Sequence, residues 1–260
     1  MNENYVQFRK ECADEVRLQA ADDKLRQLSG EWIIAANQHK YSYHYELMGR
    51  PIIQYPQDIV AMQELIWKTK PDLIIETGIA HGGSLVLSAS MLAILDLCEA
   101  IETGGIINPS LSRRKVLGVD IDIRAHNRAA IEAHPMASRI QMIQGSSIAP
   151  EIIGEVHSVA ANYRRVLVIL DSNHTHEHVL AELAAYAPLA SLGSYCVVMD
   201  TVVEELPEEL FPDRPWGPGN NPKTAVREYL ETHAEFEIDE AIDNKLLISV
   251  APEGYLKRIR

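Results

Sequence analysis

The chain has 260 residues and a formal net charge of −13, with 47% hydrophobic and 23% charged residues. A chain of this length buries roughly 70–75% of the surface its unfolded form exposes, so it needs no staples to build a core. So negative a balance argues against a broad nucleic-acid-binding face, which requires basic residues, and against an anionic membrane surface. It leaves room for one small anionic ligand held by local donors. Cys12, Cys98 and Cys196 are odd in number and widely spaced, which fits reduced thiols in a cytoplasmic protein better than a disulfide frame. The polar, acidic start does not read as a signal peptide. No uninterrupted apolar run reaches the ~18 residues that span a bilayer.

In chain order, the first forty residues are charged and helix-compatible, with Val6, Phe8, Val16, Leu18, Leu25 and Leu28 scattered among them. They read as helices or an arm packing on a partner. A tyrosine-rich segment follows at 41–58, and Pro51 and Pro56 keep it from being one helix. Residues 58–70 carry apolar residues at helical spacing, with Asp58 as a candidate N-cap. Residues 1–57 are therefore read as a helical, tyrosine-rich arm and 58–260 as the main domain.

From Pro71 onward, short apolar runs alternate with helical stretches. The predicted strands are Leu73–Thr77, Val116–Asp120, Ile140–Gln144, Val166–Asp171 and Tyr195–Asp200, with helical patterns at 84–97, 124–134, 148–162 and 176–189. Near-continuous apolar strands separated by helices predict an α/β fold, a mostly parallel central sheet with helices on both faces. The tail adds a Pro/Gly loop at 211–223, a helix over Thr224–His233, and a β pair of Phe236–Asp239 with Leu246–Val250.

Several strands end in an acid: Glu76, Asp120, Asp171 and Asp200. In open α/β sheets ligands bind at that edge. After the first strand, Glu76 to Ser84 reads ETGIAHGGS. Gly78, Gly82 and Gly83 allow a tight turn, and the helix opening near Ser84 offers free N–H groups to an anion. The spacing is not GxGxxG, and a plain strand-to-helix turn is the competing reading. Asp120, ending the second strand, stands where a ribose diol would be held. Gly145, Ser146 and Ser147 after the third strand would admit an adenine edge.

If the fourth and fifth strands are neighbours, Asp171 and Asp200 lie side by side and invite a hard divalent cation such as Mg2+. His174, His176 and His178 follow Asp171. A histidine there suits a general base, and His174 is nearest. His174 and His178 also stand i, i+4, as in zinc sites, but no HExxH is present. The loop at 212–222, with Asp213, Arg214, Trp216, Gly219, Asn220 and Asn221, reads as a binding wall or a plain surface loop. The tyrosines at 41, 43, 45 and 55 suit either an acceptor pocket or a subunit contact.

The runs at 49–92, 118–128, 170–180 and 214–230 together resemble the cephalosporin hydroxylase family. That family is similar to S-adenosylmethionine-dependent O-methyltransferases, some acting on sugar hydroxyls. The resemblance spans roughly residues 40–258 in order. It implies a Rossmann-like methyltransferase fold over 58–260 beside the N-terminal arm, S-adenosylmethionine and Mg2+ as cofactors, and a homo-oligomer. By position, Glu76, Gly78, Gly82 and Ser84 match the methionine-binding motif. Asp120 matches the ribose-binding acid, and Gly145, Ser146 and Ser147 the adenine-side turn. Asp171 and Asp200 match metal-binding acids, Thr201 stands where related catechol-type enzymes carry a ligand asparagine, and His174 where they carry the base. Met199 replaces an acid the closer family often has.

The expected function is therefore O-methylation of a hydroxyl on a small molecule, a sugar or glycosylated natural product, with Asp171 and His174 as the catalytic pair. No nucleic acid and no membrane is expected as a partner. Two alternatives stand beside it. A metal-dependent hydroxylase or oxygenase would draw on His174, His176 and Asp171. A non-catalytic partner subunit would keep the nucleoside pocket, a reading Met199 favours.

Overall fold

The computed structural model describes residues 3–108 and 111–260. The strands are β1 (Tyr45–Leu47), β2 (Arg50–Ile52), β3 (Leu73–Thr77), β4 (Lys115–Asp120), β5 (Ile140–Gln144), β6 (Val166–Leu170), β7 (Tyr195–Val198), β8 (Phe236–Ile238) and β9 (Tyr255–Arg258). The helices are α1 (Glu3–Ala20), α2 (Asp23–Asn37), α3 (Pro56–Thr69), α4 (Gly83–Thr103), α5 (Ala125–Glu132), α6 (Pro150–Ala160), α7 (His176–Tyr186), α8 (Pro222–Thr232) and α9 (Glu240–Leu246).

Alternation along the central strands explains the layers. On β3, Leu73 and Ile75 face one side with Val166, Val168 and Leu170 of β6 and meet α6, α7 and α8. Ile74 faces the other side with Leu167 and Ile169 and meets α3 and α4. A period of two sends successive side chains to opposite faces, so both faces are apolar and both must be covered. Truncating a buried residue such as Ile74 to Ala would cost about 2–5 kcal/mol.

The seven-stranded sheet runs β5-β4-β3-β6-β7-β9-β8. Strands β3 to β7 pair in parallel, and β9 lies antiparallel between β7 and β8. The order reverses between β3 and β6, the crevice where open α/β sheets bind ligands. The predicted parallel strands and the α/β class are therefore present.

Four expectations change. The tail pair is β8 with Tyr255–Arg258 rather than with Leu246–Val250. Residues 240–246 form α9, and the 249–251 turn is held by a side chain of α3. That side chain is Asp58, which is buried rather than capping: it accepts hydrogen bonds from Ser249 Oγ (2.6 Å), Val250 N (2.9 Å) and Tyr255 Oη (2.8 Å). Pro56 opens α3 and Tyr55 stands at its N-cap. Third, α4 is long and apolar enough to cross a membrane. Its serines break the uninterrupted apolar run without lowering the mean much; half of the stretch is buried in the fold. Fourth, Tyr41, Tyr45 and Tyr55 are engaged with one another and with Trp32, at ring distances of 4.9 to 6.2 Å, leaving Tyr43 exposed.

The first helices are tied to this body. Gln19 donates to the Asn244 carbonyl (2.7 Å) on α9, and Asn37 donates to Tyr55 Oη (2.9 Å). The β1–β2 hairpin lies against the start of α4. Arg50 Nε reaches the His81 carbonyl at 2.9 Å and its guanidinium reaches Asn127 Oδ1 at 3.0 Å.

Candidate active site

Gly78 follows the last residue of β3 with φ +88°, and a Cβ there would lie 2.0 Å from the Asp171 carbonyl oxygen. The two strand ends thus touch backbone to backbone, which a side chain forbids. Gly83 opens α4 against the hairpin, where a Cβ would lie 2.3 Å from the Pro51 carbonyl. The loop between them keeps its shape through Asp120. Its Oδ2 accepts from Ile79 N (2.8 Å) and Ala80 N (3.3 Å), and its Oδ1 from Asp122 N (3.0 Å). The expected ribose acid therefore also braces the glycine loop.

Glu76 shares the face of Ile74 by strand alternation and is completely buried. Ser84, on the first turn of α4, donates to its Oε1, while Oε2 has no partner. Burial pushes the Glu76 carboxyl up to about 8, against the opposing pull of Ser84. Gly82 lies at the N-cap of α4 with φ +82°. These residues border a cleft walled on one side by Pro51 to Gln54, on the other by Gly78 to Ser84, with Asp171 at its edge.

Across the switch point, Gly145 N extends the ladder to the Asp120 carbonyl (2.9 Å), and Ser146 accepts from Ala149 N (3.0 Å) at the start of α6. Ser147 is buried; its Oγ lies 3.0 Å from His178 Nε2 and its carbonyl accepts from Tyr186 Oη.

The chemistry collects at the ends of β6 and β7. Asp171, His174 and Asp200 each offer one ligand atom, all within 4.8 Å of one another. His174 Nε2 is 3.5 Å from Asp200 Oδ2. The Asp171 carboxyl is held well above the usual carboxylate range, by removal from water, then by the Asp200 carboxylate, then by Glu76. Asp200 adopts φ +56°, ψ 21°, a left-handed conformation that aspartate tolerates better than most residues and that is found at functional sites.

The neighbouring residues sort themselves by partner. His176 is turned to α8, with Nδ1 2.8 Å from Thr224 Oγ1 and Nε2 3.0 Å from Glu228 Oε2. His178 meets Ser147, Ser172 (3.2 Å) and the buried Glu182 (3.6 Å). Neither joins the acids, so the zinc pair and the two-histidine iron set are not assembled among the described residues. Thr201 is buried and donates its hydroxyl to the Pro252 carbonyl at 2.6 Å. The structure thus brings His174, and not Thr201, beside the acids. Met199 is buried in the core, so that position supplies packing instead of a third carboxylate.

The Pro/Gly loop forms one wall. Trp216 meets the His174 ring edge-on, with centroids 4.8 Å apart at 88°, and the Arg214 guanidinium lies 5.0 Å from the Trp216 centroid. Two asparagines hold this wall in place. Asn220 accepts from His176 N (2.9 Å) and donates to the Pro215 carbonyl (2.8 Å). Asn221 caps α8 through Lys223 N (2.9 Å), and donates to Gly217 O (2.9 Å) and to Glu204. Sequence reading named the loop but not this brace, because two of its partners, Glu204 and His176, lie 17 and 44 residues away.

The sheet order with its switch point, the glycine loop and the acid cluster define a methyltransferase-type α/β protein. The chain belongs to the Rhamnosyl O-methyltransferase/CmcI family, whose model matches residues 39–259. It is similar to a Rhamnosyl O-methyltransferase of Mycobacterium tuberculosis (strain H37Rv), 28% identical over 236 residues, covering 86% of this chain and 85% of that one. The Rhamnosyl O-methyltransferase of Mycobacterium leprae is 28% identical over 233 residues, covering 86% and 90%. Among solved structures, CmcI with Mg and SAM superposes with a TM-score of 0.55 at 18% identity, covering 84% of this chain and 78% of that one. That likeness bears on the fold.

Proposed function

We propose that the protein transfers a methyl group from S-adenosylmethionine to a hydroxyl of a sugar or glycosylated small molecule, assisted by Mg2+. The carrying observation is the convergence of Asp171, His174 and Asp200 at the edge of the glycine-loop cleft. Membership of the Rhamnosyl O-methyltransferase/CmcI family supports it, as do the curated relatives named for rhamnosyl O-methylation.

The residues fit the cofactors. The glycine loop leaves the backbone bare where a Cβ would collide, and Glu76 keeps an unpartnered oxygen beside it. Two carboxylates and an imidazole within ligand reach of one another suit a divalent cation. When bound, S-adenosylmethionine supplies a sulfonium-activated methyl group, and Mg2+ supplies positive charge that favours ionisation of a nearby hydroxyl.

The chain's own residues do the rest. The amides at the start of α4 would take the donor's carboxylate, Glu76 would answer its amino-acid end, and Asp120 its ribose. Ser146 and Ser147 border the adenine side. Asp171 and Asp200 would hold the cation. His174 Nε2 would take the proton of the acceptor hydroxyl. Trp216 limits the swing of the imidazole, because alignment supplies much of the rate.

The exposed Tyr5, Val6, Phe8 and Leu18 of α1 support self-association through the arm. Three free cysteines support a cytoplasmic setting. The test incubates the protein with methyl-labelled S-adenosylmethionine, Mg2+ and a panel of rhamnosides and other glycosides. Labelled O-methyl sugar is the expected product. Donor binding without turnover on any glycoside would favour the partner-subunit reading, to which the buried Met199 lends weight.

A further inference from the structure

Gln54 ends the wall of the cleft that faces the glycine loop. The residue is 3% exposed, and its Oε1 has no hydrogen-bond partner. The segment that carries it is not free to relax toward water. Pro51 abuts Gly83 at the start of α4, and Tyr55, directly after Gln54, is buried at the N-cap of α3. Buried amide oxygens are ordinarily paired, so an orphan beside a cleft needs an explanation. A donor supplied by a ligand is the simplest one.

The surroundings specify that donor. Glu76, completely buried, has its own orphan oxygen, and it reaches the cleft through Ser84, which lines it. The opposite need is met by the start of α4, whose free N–H groups favour an anion. One ligand end with a carboxylate and an ammonium, an α-amino acid group, answers both. An ammonium carries three N–H donors and no acceptor, which matches two acceptor oxygens with nothing to accept from.

We infer that Gln54 is a donor-specificity residue: its Oε1 accepts a hydrogen bond from the α-ammonium of the methyl donor. The inference rests on the donor reading above and adds a residue from outside the glycine motif. The amide is neutral, so it recognises the ammonium by geometry, while Glu76 answers its charge.

The test is a mutant–ligand cycle by calorimetry on the full chain. The ligands are S-adenosylhomocysteine and its analogue with hydrogen in place of the α-amino group. The proteins are wild type, Gln54→Met, which keeps the side-chain length, and Gln54→Glu, which keeps an acceptor oxygen. Thermal melts confirm that each variant folds. Wild type should prefer the amino-bearing ligand by about 10-fold or more, the scale of a hydrogen bond to a charged group. Gln54→Met should lose a several-fold share of that preference, Glu76 keeping the rest, while binding the desamino analogue as wild type does, and Gln54→Glu should retain it. An equal loss for both ligands, or no loss for either, would overturn the role of Gln54 and leave the donor reading standing. A raised KM for the sugar with unchanged donor binding would assign Gln54 to the acceptor instead and overturn it too. Failure of wild type to bind S-adenosylhomocysteine would overturn the donor reading and this inference together.

Discussion

His174 Nε2 stands 3.5 Å from Asp200 Oδ2, joining a side chain from the loop after β6 to one from the end of β7. The parallel pairing of these neighbouring strands makes the contact, because both C-terminal ends then lie on one edge. His174→Gln should therefore lower kcat by roughly 10²–10⁴-fold, the usual scale for loss of a general base. Binding of S-adenosylhomocysteine should stay within error of wild type. Steady-state kinetics with parallel calorimetry checks both.

Asp171 and Asp200 should bind a cation as a pair. Burial and the neighbouring carboxylate favour the protonated form of Asp171, so protons compete with Mg2+. Mg2+ affinity should rise with pH across the acidic range, and Asp171→Asn should remove most of both the affinity and its pH dependence. Magnesium titrations at several pH values would show this.

Glu76 links donor binding to stability. Its folded pKa of about 8 lies above the ordinary value of 4.5. A raised carboxyl pKa stabilises the fold fully below the unfolded value and loses that contribution as pH rises through the folded one. The ligand-free protein should melt at falling temperatures from about pH 5 to pH 8, and Glu76→Gln should flatten that slope. A cationic ligand end brought beside Glu76 lowers its pKa again, so donor binding near pH 7 should release a proton, seen as a buffer-dependent calorimetric enthalpy.

Gly78→Ala meets the Asp171 carbonyl and a positive φ at once. The left-handed conformation alone costs about 1–2 kcal/mol, and the collision must push the two strand ends apart. The variant should melt lower and bind S-adenosylhomocysteine at least about 10-fold more weakly, the equivalent of 1.4 kcal/mol. Binding at wild-type strength would contradict the close approach.

Asn220→Ala removes the tie between the Trp216 loop and the start of α7. Donor binding should survive, while kcat falls and Trp216 fluorescence, isolated against a Trp216→Phe control, reports a more mobile ring. An unchanged kcat would make the loop a plain surface connection.

The central strands were legible because Leu73–Thr77, Val116–Asp120 and Val166–Leu170 are near-continuous apolar runs, buried on both faces. The tail misled because Leu246–Val250 is apolar enough for a strand, yet Asp58 claims the Val250 amide and the Ser249 hydroxyl from the other end of the chain. The grouping of Asp171, His174 and Asp200 was legible because they follow strands that prove to be neighbours. Thr201 was not, because only the fold shows its hydroxyl turned to Pro252. The same holds for His176 and His178, close to His174 in sequence but committed to α8 and to Ser147.

The most direct test of the account is an equilibrium titration of the wild-type chain with S-adenosylhomocysteine, with Mg2+ and then with chelator. The account predicts micromolar binding in both conditions, since the glycine loop, Glu76 and Asp120 would hold the donor without needing the cation that Asp171 and Asp200 would hold. No binding in either condition would contradict the donor site and, with it, the methyl-transfer function.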